Sequence, residues 1–128
     1  MKKLIFDSGV EEFRIPGGGV LRFNPGDPNL YSRFAEAAQK LAEIEAALIE
    51  RAQQEPVLEL LAQTDRQIKQ LLNWVFGGDN DFHKALGGVS LLAPTSNGQT
   101  VAANLFAALE QVLSRGAQAL VEAKVAQL

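Results

Sequence analysis

The sequence has no cysteine and only one histidine, His83. Without cysteine the chain has no disulfide bond, no thiolate zinc site and no cysteine nucleophile, which is typical of proteins from reducing compartments. No serine lies in a G-x-S-x-G pattern, and a single histidine offers little material for a catalytic triad. We therefore predict that the protein is not an enzyme and that it has no cofactor.

The sequence also lacks an excess of basic residues and any long apolar run. Its 12 lysines and arginines are scattered among 15 acidic residues, whereas a nucleic-acid surface requires basic residues concentrated on one face. The apolar run near the N-terminus ends at Asp7, well short of the roughly seven apolar residues of a signal peptide. No stretch approaches the roughly 18 to 20 apolar residues of a membrane span. We expect a cytoplasmic protein that binds neither nucleic acid nor membrane.

The length of 128 residues predicts a single domain, residues 1–128, and the first 24 residues carry its β-prone part. Two short runs in this part alternate apolar and polar residues around the glycine-rich loop 16–19. The large apolar residues of the first run, Phe13 and Ile15, lie on one face, and those of the second run, Leu21 and Phe23, lie on another. The pattern predicts a β-hairpin, to which Leu4–Phe6 would add a third short strand.

The rest of the chain predicts helices. The first covers residues 27–53, where Asp27 can cap the helix and Pro28 occupies the first helical position. Its apolar residues follow steps of three and four and form one stripe: Leu30, Phe34, Ala37, Leu41, Ile44 and Leu48. Pro56 then interrupts the pattern, and a second helix follows at 56–76. The short joint between them predicts an antiparallel helical hairpin.

The second helix has an apolar stripe in which Asp65 is the one polar interruption: Leu58, Leu61, Ile68, Leu72 and Val75. A short helix is expected at 81–86, and a long C-terminal helix at 99–126, where alanine and leucine give strong helix propensity. Gly116 lies inside the long helix and suggests a close helix crossing. The predicted fold is therefore mainly α with a small N-terminal β-hairpin, an α+β arrangement.

One acidic segment could be interpreted as a metal site. Asp79, Asp81 and His83 stand at alternate positions, as ligands of a calcium loop do. Such a loop requires glycine at its sixth position and glutamate at its twelfth, but this sequence has Lys84 and Ser90 there. Helix capping therefore explains the segment better, and we predict no metal site.

The candidate functional residues are the apolar side chains of the hairpin and the first helix, because these can bind another protein. Among the aromatic residues, Phe34 and Trp74 are expected in the core, whereas Tyr31 suits the core and an interface equally. The candidate interaction residues are Phe13, Ile15, Leu21, Phe23, Tyr31, Phe34, Leu41, Ile44 and Leu48. The alternative is that these apolar faces pack against one another within a compact monomer.

Three stretches carry a family resemblance: K-K-L-I-F-D-S-G-V-E-E-F, G-G-V-L-R-F-N-P-G-D-P-N-L-Y-S-R-F and V-F-G-G-D-N-D-F-H-K-A-L-G-G-V-S-L-L. They resemble a family of small uncharacterised proteins from tailed phages and prophages of Gram-positive bacteria. Proteins of this kind are similar in size and helical character to the tail assembly chaperones of long-tailed phages. Those chaperones coat the tape-measure protein until tail-tube subunits replace them.

The resemblance implies a non-enzymatic phage morphogenesis protein that forms homo-oligomers. Its expected partners are phage tail proteins, namely the tape-measure protein and tail-tube subunits, in the cytoplasm of the bacterial host. Two other functions remain open at this point. One is a virion structural component such as a connector or tail-completion subunit, and the other is a small-molecule-binding or host-inhibiting phage protein.

Overall fold

The computed structural model describes all 128 residues. It confirms a mainly α fold with an N-terminal antiparallel hairpin and a long C-terminal helix. Every predicted helix is present, with ends within two residues of the expected positions. The elements are β1 (Glu11–Arg14), β2 (Val20–Phe23), α1 (Pro28–Arg51), α2 (Val57–Phe76), α3 (Phe82–Ala85) and α4 (Val101–Ala126). None of the helices is both long and apolar enough to cross a membrane.

The hairpin contains two strands, so the prediction of a third strand at Leu4–Phe6 was wrong. The chain before β1 is instead bonded to the turn that follows β2. The side-chain amide of Asn24 donates to the carbonyl oxygen of Ser8 at 3.1 Å, and the Gly9 N–H donates to the Asp7 carboxylate at 2.8 Å. Leu4–Phe6 lie before these bonds and are exposed.

α1 and α2 form the expected antiparallel pair. The guanidinium of Arg33, near the start of α1, donates to the carbonyl oxygen of Val75, near the end of α2, at 2.8 Å. At the joint, Arg51 makes two hydrogen bonds to the Glu55 carboxylate, at 2.6 and 3.0 Å. These bonds and the adjacent positive charge hold the pKa of Glu55 below its ordinary value. α1 begins as predicted, because the Asp27 side chain accepts from the Asn29 N–H at 3.0 Å.

The predicted apolar stripe of α2 is buried at Ile68, Leu72 and Val75, but not at its start. Leu58 is 83% exposed and Trp74 is 46% exposed, so neither belongs to the core. Leu58 lies near the joint of the helical pair, where no third element covers the helices. Trp74 lies on the flank of the pair, with the ammonium of Lys40 5.3 Å from its ring centroid. The apolar side chains that α2 does bury are Leu60, Ile68, Leu72, Val75 and Phe76.

The core lies where the hairpin, the first half of α1, the end of α2, α3 and the first half of α4 meet. A series of aromatic contacts runs through it, with the rings of Phe23 and Phe76 4.9 Å apart and those of Phe76 and Phe82 5.4 Å apart. Phe82 is fully buried, which explains why a helix of one turn is fixed in place. A second aromatic pair, Phe34 and Phe106, joins α1 to α4 at 5.5 Å. The core therefore uses the first half of α4 and leaves its second half free.

Gly116 marks the position where α4 leaves the body of the protein. Its close neighbour is the turn at Pro25 and Gly26, not another helix as predicted, and a β-carbon built on Gly116 would lie 2.0 Å from the Pro25 carbonyl oxygen. Beyond Gly116 every residue of the chain is exposed. The last ten residues of α4 therefore form a helical segment with no partner, which we call the free end of α4 (residues 117–126).

Candidate protein-binding site

An apolar groove lies between the hairpin and α4. It has a volume of about 480 Å³ and is partly open to solvent. Apolar side chains of the hairpin form one wall: Phe13, Ile15, Leu21 and Phe23. Apolar side chains of α4 form the other wall: Val101, Leu105, Ala108, Leu109 and Val112. We refer to this feature as the groove.

The hairpin residues predicted for interaction divide into two pairs within the groove. Leu21 and Phe23 on β2 are 0% and 4% exposed and belong to its buried floor. Phe13 and Ile15 on β1 are half-buried, and their free sides face the groove. The ring of Phe13 stacks on that of Phe23 with 4.5 Å between centroids. Among these four, the β1 residues are therefore the ones that another chain can contact.

The predicted interaction residues of the first helix are mostly occupied within the chain. Phe34 and Leu41 are buried in the core, so their assignment to a partner surface is corrected. They are unavailable because the same stripe packs α1 against α2. Ile44 and Leu48 are half-buried farther along the stripe, and Tyr31 is 42% exposed. The compact-monomer alternative thus describes the first half of α1.

The polar atoms beside the groove are largely paired with one another. The side-chain amide of Asn104 donates to the Thr95 hydroxyl at 2.9 Å, and its oxygen accepts from the Asn97 amide at 2.9 Å. The Thr95 hydroxyl in turn contacts the carbonyl oxygen of Gln99 at 2.8 Å. Arg14 is the one charged residue in the lining of the groove. The groove therefore presents a wide apolar surface with few polar groups, which suits an apolar polypeptide better than a polar small molecule.

The two ends of the chain are the other apolar surfaces. Near the N-terminus Leu4, Ile5 and Phe6 are 90%, 93% and 75% exposed. At the free end of α4, Val121 and Val125 are each 61% exposed. Exposed apolar side chains in a group mark interaction sites more often than isolated ones do. The apolar surfaces of the molecule therefore include the groove, the N-terminal segment and the free end of α4.

A buried polar cluster lies away from these surfaces. Lys69 is 3% exposed, and its ammonium lies 2.9 Å from the Asp65 carboxylate and 2.8 Å from Nδ1 of His83. The other carboxylate oxygen of Asp65 accepts from the Leu91 N–H at 2.7 Å. The cluster joins α2 to α3 and to the loop before α4, so its role is structural. The sequence signal was the spacing of four between Asp65 and Lys69 on a helix, which was overlooked.

The residues considered for a metal site serve other purposes. The Asp81 carboxylate caps α3 by accepting from the N–H groups of His83 and Lys84, at 3.1 and 3.4 Å. His83 turns its ring towards Lys69, away from Asp79 and Asp81. The structure brings together no group of three histidine or acidic side chains that could hold a metal ion.

Comparison with known proteins does not assign the chain to a family. No family model, no curated protein and no solved structure matches it. The interpretation of its surfaces therefore rests on their geometry and chemistry.

Proposed function

We propose that this protein is a non-enzymatic phage morphogenesis protein, a tail assembly chaperone that binds the tape-measure protein or tail-tube subunits. It would act in the cytoplasm of the infected or lysogenic bacterial host. The observation that supports this proposal is the free end of α4, a straight helical segment with apolar side chains and no partner in the chain. A protein that accompanies a long helical partner requires such a surface.

The valines of this end lie on one side of the helix. Ala117, Val121 and Val125 follow one another at steps of four. These steps place them in one stripe, and helices pair through stripes of this kind. Ala119 and Ala123 lie on the opposite side. The geometry therefore suits pairing with an amphipathic helix of another protein.

The groove supports the same class of function. Its walls are apolar and its neighbouring polar groups bond to one another, so its chemistry favours polypeptide side chains. This observation separates the proposal from the small-molecule-binding alternative, which requires polar groups that converge on an enclosed ligand.

A double variant at the free end tests the proposal. Val121→Glu with Val125→Glu places two charges on the apolar stripe and is expected to weaken binding of a tape-measure protein about 100-fold or more, because each charge must be desolvated at the interface. The matched control is Ala119→Glu with Ala123→Glu, which adds the same charges at the same spacing on the opposite side. The measurement is co-purification after co-expression, followed by titration of the purified components.

The result that would contradict the proposal is equal binding by both variants, or no binding of tape-measure and tail-tube proteins by the wild type. The protein composition of purified phage particles distinguishes the chaperone function from that of a structural subunit. A chaperone is expected in lysates and absent from finished particles. A stoichiometric amount in particles would instead establish the virion structural alternative.

A further inference from the structure

β1 is the strand whose outer edge has no partner. On β2 the outer edge is closed, because the Arg22 N–H donates to the Asn80 side-chain oxygen and the Arg22 carbonyl accepts from the Asn80 amide, both at 2.8 Å. Glu12 lies directly opposite Arg22 in the hairpin, so its N–H and carbonyl also point outward, and those of Arg14 do the same. No third strand meets these groups. β1 thus offers hydrogen-bonding positions to an added strand.

This open edge borders the groove. Phe13 and Ile15 alternate with Glu12 and Arg14, so the two apolar side chains face the groove. Glu12 and Arg14 are exposed, and Arg14 also lies at the margin of the groove. A strand added beside β1 would continue this alternation and place every second side chain over the groove. The required ligand is a short peptide with apolar residues at alternate positions.

The N-terminal segment of this chain has that pattern. Leu4 and Phe6 occupy alternate positions and are almost fully exposed, and neither has a partner within its own chain. If Lys3 lies beside Glu12 in a parallel arrangement, Leu4 falls beside Phe13 and Phe6 falls beside Ile15. Both apolar side chains then face the groove.

The charges select the parallel direction. In this arrangement Lys2 and Lys3 lie beside Glu11 and Glu12, so two pairs of opposite charge meet. In an antiparallel arrangement that keeps Leu4 beside Phe13, Lys3 would lie beside Arg14, and like charges would repel each other.

The donor must be a second molecule. Only three residues, 8–10, separate the N-terminal segment from β1. Two parallel strands of one chain require a connection of about a dozen residues or more. A parallel strand on β1 therefore comes from another copy of the chain.

We propose that copies of this protein assemble head to tail by strand donation. Residues 2–7 of one copy add to β1 of the next as a parallel third strand, and Leu4 and Phe6 cover the groove of that copy. Each molecule donates one strand and accepts one. This self-association uses surfaces other than the free end of α4 and does not depend on the proposed chaperone function.

Cross-linking between two variants tests the register. Because the chain has no cysteine, Lys3→Cys and Glu12→Cys introduce the sole thiols. When chains carrying one change each are mixed and oxidised, a disulfide-linked pair of one Lys3→Cys and one Glu12→Cys chain is expected. A mixture of Lys3→Cys with Arg14→Cys, which reports the antiparallel direction, is expected to give far less product. Equal yields from both mixtures, or no product from the first, would overturn the proposal.

Two single variants test the face that enters the groove. Phe6→Glu places a charge in the groove and is expected to weaken self-association by about tenfold or more in sedimentation velocity. Ile5→Glu adds the same charge on the outer face beside Arg14 and is expected to keep wild-type association. Both positions are exposed, so circular dichroism should show unchanged folding. A wild type that stays monomeric at high concentration, or equal loss in both variants, would refute strand donation.

The two proposals can fail separately. Phe6→Glu is expected to reduce self-association, whereas Val121→Glu with Val125→Glu is expected to leave self-association unchanged and to lose the helical partner. If Phe6→Glu keeps self-association and the double variant at Val121 and Val125 loses it, the strand-donation site is wrong and the free end of α4 is the interface between copies.

Discussion

A Lys69→Met variant is expected to lose about 3 to 5 kcal/mol of its free energy of unfolding, because removing one partner of a buried ion pair leaves the other charge uncompensated. Lys69 is 3% exposed and its partner Asp65 is 9% exposed. Methionine has a similar length and no charge, so packing is retained while the contacts at 2.9 Å to Asp65 and 2.8 Å to His83 disappear. Urea denaturation monitored by circular dichroism measures the loss.

Two further variants test whether the uncompensated charge of Asp65 causes the loss of stability in Lys69→Met. Lys40→Met removes a lysine whose ion pair with Glu36 is half-exposed, and it is expected to change stability by less than about 1 kcal/mol. Adding Asp65→Asn to Lys69→Met removes the uncompensated negative charge of Asp65. The asparagine still offers a side-chain oxygen to the Leu91 N–H. This double variant is expected to recover most of the loss. A loss below about 1 kcal/mol for Lys69→Met alone would show that the pair contributes no more than a surface ion pair does.

A Gly116→Ala variant is expected to destabilise the protein by about 1 to 3 kcal/mol, the usual effect of overpacking a tight contact. Helix propensity alone would predict the opposite sign, with alanine favoured by about 1 kcal/mol in a helix interior. The close contact of Gly116 with Pro25 makes the expected change in stability unfavourable, because the new β-carbon would lie 2.0 Å from the Pro25 carbonyl oxygen. Either α4 or the turn before α1 must move.

Ala107→Gly is the matched control for this prediction. Ala107 is exposed in the packed half of α4, so its change to glycine reports the intrinsic difference between the two residues, a loss of about 1 kcal/mol. Chemical denaturation of both variants against wild type gives the comparison. If Gly116→Ala raises the free energy of unfolding, the close contact with Pro25 does not constrain the helix.

Local signals were sufficient to predict the positions of the helices. Asp27 and Pro28 mark the start of α1, Pro56 precedes α2, and Gly77 ends α2 with a positive φ of 61°. Each of these signals acts through the backbone of its own few residues. The helix ends could therefore be predicted without knowledge of the tertiary contacts.

Burial was harder to predict, because it depends on which element covers which face. Leu58 and Val125 both belong to apolar stripes, yet both are exposed, since no other part of the chain reaches the joint of α1 and α2 or the free end of α4. Asp65 is polar but buried, because the loop at Leu91 folds onto α2 and supplies a hydrogen bond. A single sequence does not specify these long-range contacts.

The candidate site was predicted in part. Alternation identified Phe13 and Ile15 as one apolar pair and Leu21 and Phe23 as another, and the structure brings both pairs into the lining of the groove. The opposite wall on α4 was not foreseen, since nothing local connects residues 13–23 with residues 101–112. The stripe of α1 was assigned to a partner because a helix that packs on α2 has the same pattern as one that packs on another protein.

The contact between Gly116 and Pro25 determines how far α4 extends from the body. The ten residues after it rise about 15 Å along an unbroken helix, because each helical residue adds about 1.5 Å. A helix of fixed length holds its exposed side chains at one distance and one angle from the body, which a flexible tether would not do. If the free end binds a helical partner as proposed, every copy of the protein would hold that partner at the same distance.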